Sequence, residues 1–156
     1  MALFIPILEA LANHIAAASY FADIPVVAIG VGKDAATHIE ERIKRNLQKT
    51  GISVELAIIR AIPEANTPGP YFSTIEIIAR IIENPVVNLA KGGTTKPAFD
   101  VAEYVCALVH LPRAPDAAAA LNQILFTTNL VGVADEQFHI FDVMITAHGG
   151  IEITTP

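Results

Sequence analysis

The chain has 156 residues, of which 53% are apolar and 17% charged, with a formal net charge of −6. Nucleic-acid binding needs a basic surface, so this balance argues against nucleic acid as a partner. The length predicts one domain over 1–156. Globular proteins average about 45–50% apolar and about 25% charged residues, so the apolar excess predicts a homo-oligomer.

The first 20 residues are apolar but do not suit a membrane or export signal. They lack a basic start, and Glu9, Asn13 and His14 interrupt the run well before the roughly 18 residues that a span needs. We expect a helix over 6–20 that packs on the body or on a neighbouring subunit, and no membrane contact. The single cysteine, Cys106, fits a reducing compartment, so we expect a cytoplasmic protein.

The next stretch predicts a strand, a helix and a second strand. The run IPVVAIG (24–30) is continuously apolar and β-branched, which is typical of a strand buried on both faces. Asp34 can cap a helix with an apolar stripe, and Gly51 can end it. The second strand is predicted at 52–62, before the turn-forming sequence EANTPGP.

A third helix and a third strand are expected after that turn. Ser73 and Glu76 have capping-box spacing, which predicts a helix over 73–84. NPVVNLA then predicts a strand. The region 97–110 fits one helix, or a short helix followed by a strand at 105–110, and the second interpretation is favoured.

The C-terminal part predicts one more helix and a hairpin. Asp116 can cap the helix DAAAALNQILF, and Gly149-Gly150 separates two strand-like runs. The whole order favours right-handed βαβ crossovers. We therefore predict a three-layer, mostly parallel, flavodoxin- or Rossmann-like sheet with helices on both faces and an antiparallel hairpin at its C-terminal end.

In such sheets ligands bind beyond the carboxyl ends of the strands, where GVGKD and AKGGTT would meet. Glycines let backbone N–H groups approach an anion, and a helix N-terminus favours negative charge. Both loops equally fit ordinary strand-to-helix turns, since neither completes a known phosphate-binding motif. The predicted ligand-binding residues are Gly30, Gly32, Lys33, Gly92, Gly93, Thr94 and Thr95.

Three residues are candidates for catalysis at these loops. Lys91 would neutralise anion charge, while Asp34 or His38 would move a proton. Asp34 also fits a plain helix cap, and His38 a surface side chain. No cofactor is expected, and no histidine or cysteine has a metal partner at recognisable spacing.

The layout resembles the single-domain carboxylases and mutases of aminoimidazole ribonucleotide. PVVAIGVGKD, VELAIIRAIPE and VVNLAKGGTTKPAF occupy comparable places over roughly 25–112. Where those enzymes have a Ser-rich loop and a His–Arg pair, this chain has Val31-Gly32-Lys33 and Ile62-Pro63-Glu64. The resemblance implies a shared architecture, which transfers no function.

Two functions follow as expectations. The first is a homo-oligomer that binds a small phosphorylated or otherwise anionic metabolite, with cofactor-independent isomerase or lyase chemistry if it is an enzyme. The second is a non-catalytic oligomeric assembly or binding module, and a designed chain without a natural function belongs with it.

Overall fold

The computed structural model describes residues 5–29, 35–63, 71–90, 92–110, 125–133 and 138–152. The helices are α1 (Ile5–Ala17), α2 (Ala35–Lys49), α3 (Pro85–Asn88) and α4 (Ala98–His110), with a 3₁₀ turn at Ser19–Phe21. The strands are β1 (Val26–Ala28), β2 (Ile52–Pro63), β3 (Tyr71–Glu83), β4 (Leu125–Val133) and β5 (His139–Glu152). These strands form one sheet in the order β1-β2-β3-β5-β4.

The sheet is mixed, so the prediction of a mostly parallel, Rossmann-like sheet is wrong. β1 and β2 are parallel, with Val26 opposite Val54, and α2 connects them. The other three described pairs, β2–β3, β3–β5 and β5–β4, are antiparallel. The reason is that β3, the next described strand after β2 in the chain, occupies most of the residues where the crossover helix was expected.

β3 occupies most of the region where a helix was predicted at 73–84. Its side chains alternate: Ile75, Ile77, Ala79 and Ile81 are 0% exposed, while the residues between them face the other side of the sheet. This period of two suits β-branched isoleucines better than a helical stripe does. The capping-box spacing of Ser73 and Glu76 was therefore misleading.

The sequence NPVVNLA forms the short helix α3, so the predicted third strand is wrong. The Asn84 side chain accepts a hydrogen bond from the N–H of Val86 at 3.2 Å, and Pro85 takes the first helical position. Val86 is 80% exposed, so it does not serve the core. The resemblance to the aminoimidazole ribonucleotide enzymes depends on a strand here, and it therefore does not extend to the fold.

α4 is one helix, so the favoured interpretation with a strand at 105–110 is wrong. Its buried residues follow the spacing of one helical face: Ala98, Val101, Ala102, Val105 and Val109. None of the described helices is long and apolar enough to cross a membrane.

The C-terminal predictions fare differently. Most of DAAAALNQILF lies outside the described residues, but its last two, Leu125 and Phe126, belong to β4. β5 continues through Gly149-Gly150, so the predicted hairpin at that point is wrong. The antiparallel partner that holds the end of β5 is β3, where Thr74 lies opposite His148.

Four early predictions of elements are confirmed. The helix over 6–20 is present as α1, the first strand as the shorter β1, the helix after Asp34 as α2, and the second strand as β2. α1 and α4 pack on one face of the sheet, which we call the helix-covered face. Its core includes Leu11, Ile15, Leu56, Ile77, Val101, Val105 and Ile145.

The other side of the sheet, which we call the second face, has a different cover. Leu47 of α2 is buried but lies outside the core cluster that α1 and α4 share with the sheet. α2 contacts β2 and α3. On the second face of β2, Ser53 is 0% and Glu55 5% exposed. Since burial there needs a cover, we assign α2 to the β2 end of the second face.

A buried carboxylate joins the sheet to α4. Glu83 closes β3 and is 0% exposed, and its Oε2 accepts a hydrogen bond from the N–H of Ala98 at 2.5 Å. His139 Nδ1, at the start of β5, lies 3.3 Å from Oε1 of the same carboxylate. A negative charge is favoured at a helix N-terminus, where backbone N–H groups lack partners within the helix. Glu83 therefore caps α4 from another part of the chain.

We expect Glu83→Ala to lower the free energy of unfolding by about 1–3 kcal/mol, because the buried N–H of Ala98 loses its acceptor. Glu83→Gln is the matched control, since its amide oxygen still accepts that hydrogen bond. Urea unfolding of both variants measures the difference. Equal losses in the two variants would show that the cap is not what Glu83 contributes.

Candidate functional site

Four of the predicted ligand-binding residues lie together in the turn between α3 and α4. They are Gly92, Gly93, Thr94 and Thr95. The structure does not test the other predicted site residues. Gly30, Gly32, Lys33, Asp34 and Lys91 lie outside the described residues, and only the backbone of His38 is described, in α2. The two-loop site therefore stays a prediction.

The turn is built around Asn88, which is 0% exposed. Its side-chain Nδ2 donates to the carbonyl of Lys96 at 2.8 Å, and its Oδ1 accepts the hydroxyl of Thr94. Its own carbonyl accepts the N–H of Thr95 at 2.9 Å. All three bonds join the last residue of α3 to the chain entering α4, so Asn88 fixes the shape of the turn.

Three N–H groups of the turn donate to acceptors within it or to Asn88. Gly93 donates to the carbonyl of Ala90 at 3.0 Å, and Lys96 to the hydroxyl of Thr94 at 3.2 Å. Together with Thr95, these are three donors that a bound anion would have to compete for. This geometry favours the turn interpretation of AKGGTT over an open anion cradle.

The ammonium group of Lys96 is also engaged within the chain. Its Nζ donates to the carbonyl of Tyr20 at 2.6 Å and to Oδ1 of Asp23 at 2.6 Å. It also lies 4.7 Å from the centroid of the Tyr20 ring, which stacks on the ring of Tyr104. This lysine therefore attaches the turn to the segment that follows α1.

Glycine at position 93 is required by close packing. A Cβ there would lie 2.3 Å from the carbonyl oxygen of Asn88 and 2.4 Å from that of Val87, distances at which the backbone must move. Gly92 differs, because its φ is +100° but nothing lies within 4 Å of an added Cβ. The paired glycines thus serve packing at one position and backbone conformation at the other.

A second polar group of residues crosses the second face of the sheet. Glu55, Arg80, Asp142 and Val131 lie opposite one another on β2, β3, β5 and β4. Arg80 donates two hydrogen bonds to Asp142, from Nε at 2.8 Å and from Nη2 at 2.9 Å. These bonds raise the pKa of the Arg80 guanidinium. The pair is therefore a fixed, neutral unit on the sheet.

Glu55 on β2 lies opposite Arg80, but its carboxyl group is less well hydrogen-bonded than that of Asp142. Its Oε1 and the hydroxyl of Ser53 are buried without a hydrogen-bond partner among the described residues. Burial raises the pKa of Glu55 to about 7, and the positive charge of Arg80 opposes part of that rise. The carboxyl group is therefore partly protonated at neutral pH.

Two further cross-strand pairs lie on the same face, one charged and one apolar. Arg60 donates to Glu76 from Nε at 3.0 Å and from Nη2 at 2.6 Å, across β2 and β3. Between the two ion pairs lies an apolar rung with Ile78 opposite Met144. Each arginine on this face thus has its carboxylate partner in the neighbouring strand.

β4 is the outer strand of the described sheet on the side away from β1. Its nine residues, LFTTNLVGV, include neither a charged residue nor a proline. β2, β3 and β5 each carry charged side chains. β4 is paired to β5 along its whole length, and its Val131 is 44% exposed. Among the described strands, β4 is therefore a long, uncharged outer edge.

Sequence reasoning missed these features for different reasons. Glu55 carried a signal, because it is a single charge within the apolar run ISVELAII. Asn88 carried none, since its role depends on contacts with residues that follow it by up to eight positions.

No protein-family model matches the chain, and no significant match to a curated protein is found.

We expect Gly93→Ala to lower the free energy of unfolding by about 1–3 kcal/mol, because its methyl group overlaps two backbone carbonyls. Gly92→Ala is the control, since it strains φ without a clash and should lose about 1 kcal/mol. Thermal and urea unfolding compare the two. A Gly93→Ala loss no larger than that of Gly92→Ala contradicts the packing role.

Glu55 should make folding stability depend on pH. Its pKa is raised on folding, so the folded state holds the proton more tightly, and the contribution of Glu55 to stability falls as pH rises from about 4.5 to about 7. Above that range the deficit is constant, at up to about 3 kcal/mol. Glu55→Gln removes the titrating proton, so the variant should gain stability over the wild type between these pH values.

Urea unfolding of both proteins across the pH range isolates this effect, because all other groups titrate alike in the two. A stability difference that does not change with pH would mean that the Glu55 pKa is not shifted by folding.

Proposed function

We propose that the chain is a non-catalytic assembly module that associates with copies of itself. The observation that carries the proposal is the uncharged edge strand β4. An edge strand offers backbone N–H and C=O groups to another strand, and proteins commonly protect such edges with lysines, prolines or very short strands. The sequence of β4 has none of these protections, although it is nine residues long.

The composition supports the same function. Charged residues make up 17% of the chain and apolar residues 53%, so the surface available for hydration is small for a monomer. On the second face, the arginines of β2 and β3 are paired with carboxylates in neighbouring strands. A surface with internally neutralised charge can be buried against another subunit at less cost than one with lone charges.

The binding of a small anionic metabolite, with isomerase or lyase chemistry, stays a prediction. So does the cytoplasmic location. Three N–H groups of the turn after α3 already donate hydrogen bonds within the chain. This turn therefore supports anion binding less strongly than β4 supports assembly. We therefore place assembly before anion binding.

The expected result in solution is a particle whose mass is a multiple of 16.6 kDa and rises with protein concentration. Light scattering after size-exclusion chromatography measures it over a dilution series. Because backbone pairing and apolar burial drive the association, high salt should not dissociate the particle.

Dissociation by salt alone would indicate a contact made by ion pairs instead. A mass of one chain at every concentration would overturn the proposed function. The purified protein should also be titrated with inorganic phosphate while its melting temperature is followed, since a rise on that addition would favour the anion-binding prediction.

A further inference from the structure

The two edges of the described sheet are unequal. β1 has three residues, Val26–Ala28, whereas β4 has nine, Leu125–Val133. Short edges offer few hydrogen bonds to an incoming strand, and long uncharged ones offer many. If subunits join through a sheet edge, β4 is the edge that can supply a stable seam.

Charge limits the surfaces at which two copies can meet. Each chain carries a net charge of −6, so two copies repel unless they meet at a neutral surface. β4 is neutral along its whole length. The nearest acidic side chain on β5, opposite Val131, is Asp142, and both of its oxygens accept hydrogen bonds from Arg80. Pairing at β4 therefore brings no charged side chain of β4 itself into the seam.

We propose that the β4 strands of two copies pair with each other, antiparallel, about a two-fold axis at Asn129. This register uses all nine residues, because Asn129 is the central residue of Leu125–Val133. The five-stranded sheets of the two copies then continue as one sheet of ten strands. The inference rests on the proposed function, since it names the surface through which self-association occurs.

The side chains of β4 match themselves in this register. The two copies of Asn129 lie opposite each other, where their amides can donate and accept in turn. Thr127 of one copy lies opposite Val131 of the other, and β-branched pairs of this kind stabilise antiparallel strands. Direct opposition of identical residues also means that a charge placed at 129 meets its own copy.

The test uses that opposition. Asn129→Lys and Asn129→Asp are each expected to lower the mass by up to twofold at a given concentration, because like charges then face each other across the seam. Mixing the two variants should restore the wild-type mass, since lysine then faces aspartate. Asn129 is exposed, and circular dichroism checks that both variants keep the fold.

Ile59→Lys is the matched control. Ile59 is 50% exposed on β2, at an irregularity in its pairing with β3, so this substitution adds the same charge far from β4 and should leave the mass unchanged. An oligomer that survives Asn129→Lys overturns the β4 seam but not self-association. Loss of mass in both single variants without recovery on mixing overturns the two-fold register. A wild-type protein that is monomeric throughout overturns the proposed function itself.

Discussion

The position of α4 depends on one buried carboxylate. Glu83 ends the central strand β3, accepts the N–H of Ala98 at the start of α4 and lies 3.3 Å from His139 at the start of β5. Because its side chain is fully buried, the carboxyl group needs a hydrogen-bond donor, and the N–H of Ala98 supplies one. The face of α4 that completes the core is thus oriented from its first turn. Core packing and the cap reinforce each other here.

Asn88 has the corresponding role in the chain that leads into α4. It holds the following turn through its side chain and its carbonyl, and it leaves no room for a Cβ at Gly51 or Gly93. Two glycines that look like separate loop signals in the sequence therefore serve one buried contact. A glycine-rich sequence before a helix can arise from dense packing as readily as from ligand binding.

The sequence predicts those elements whose pattern is local. α2 has an amphipathic stripe and β2 a mainly apolar run, and both are present as expected. β3 was missed because its capping-box spacing competed with an alternation of isoleucines, and alternation becomes decisive only when neighbouring strands bury one side of it. Because β3 is a strand and not the predicted helix, the sheet is mixed and not mostly parallel. The role of Glu83 depends on Ala98 and His139, which are distant in sequence, and that of Asn88 depends on how the following turn folds, so single-sequence patterns could not supply either.

The second face shows how charge is distributed in this sheet. Its arginines lie in β2 and β3 and are satisfied by carboxylates one strand away, which keeps ionic contacts inside the subunit. Towards β4 the side chains become neutral, ending in an edge without charge. Electrostatic repulsion between strongly acidic copies is weakest where no charge is present, and backbone hydrogen bonds need no charged group. The same distribution that keeps ion pairs within one subunit therefore leaves the sheet edge as the surface best suited to a second copy.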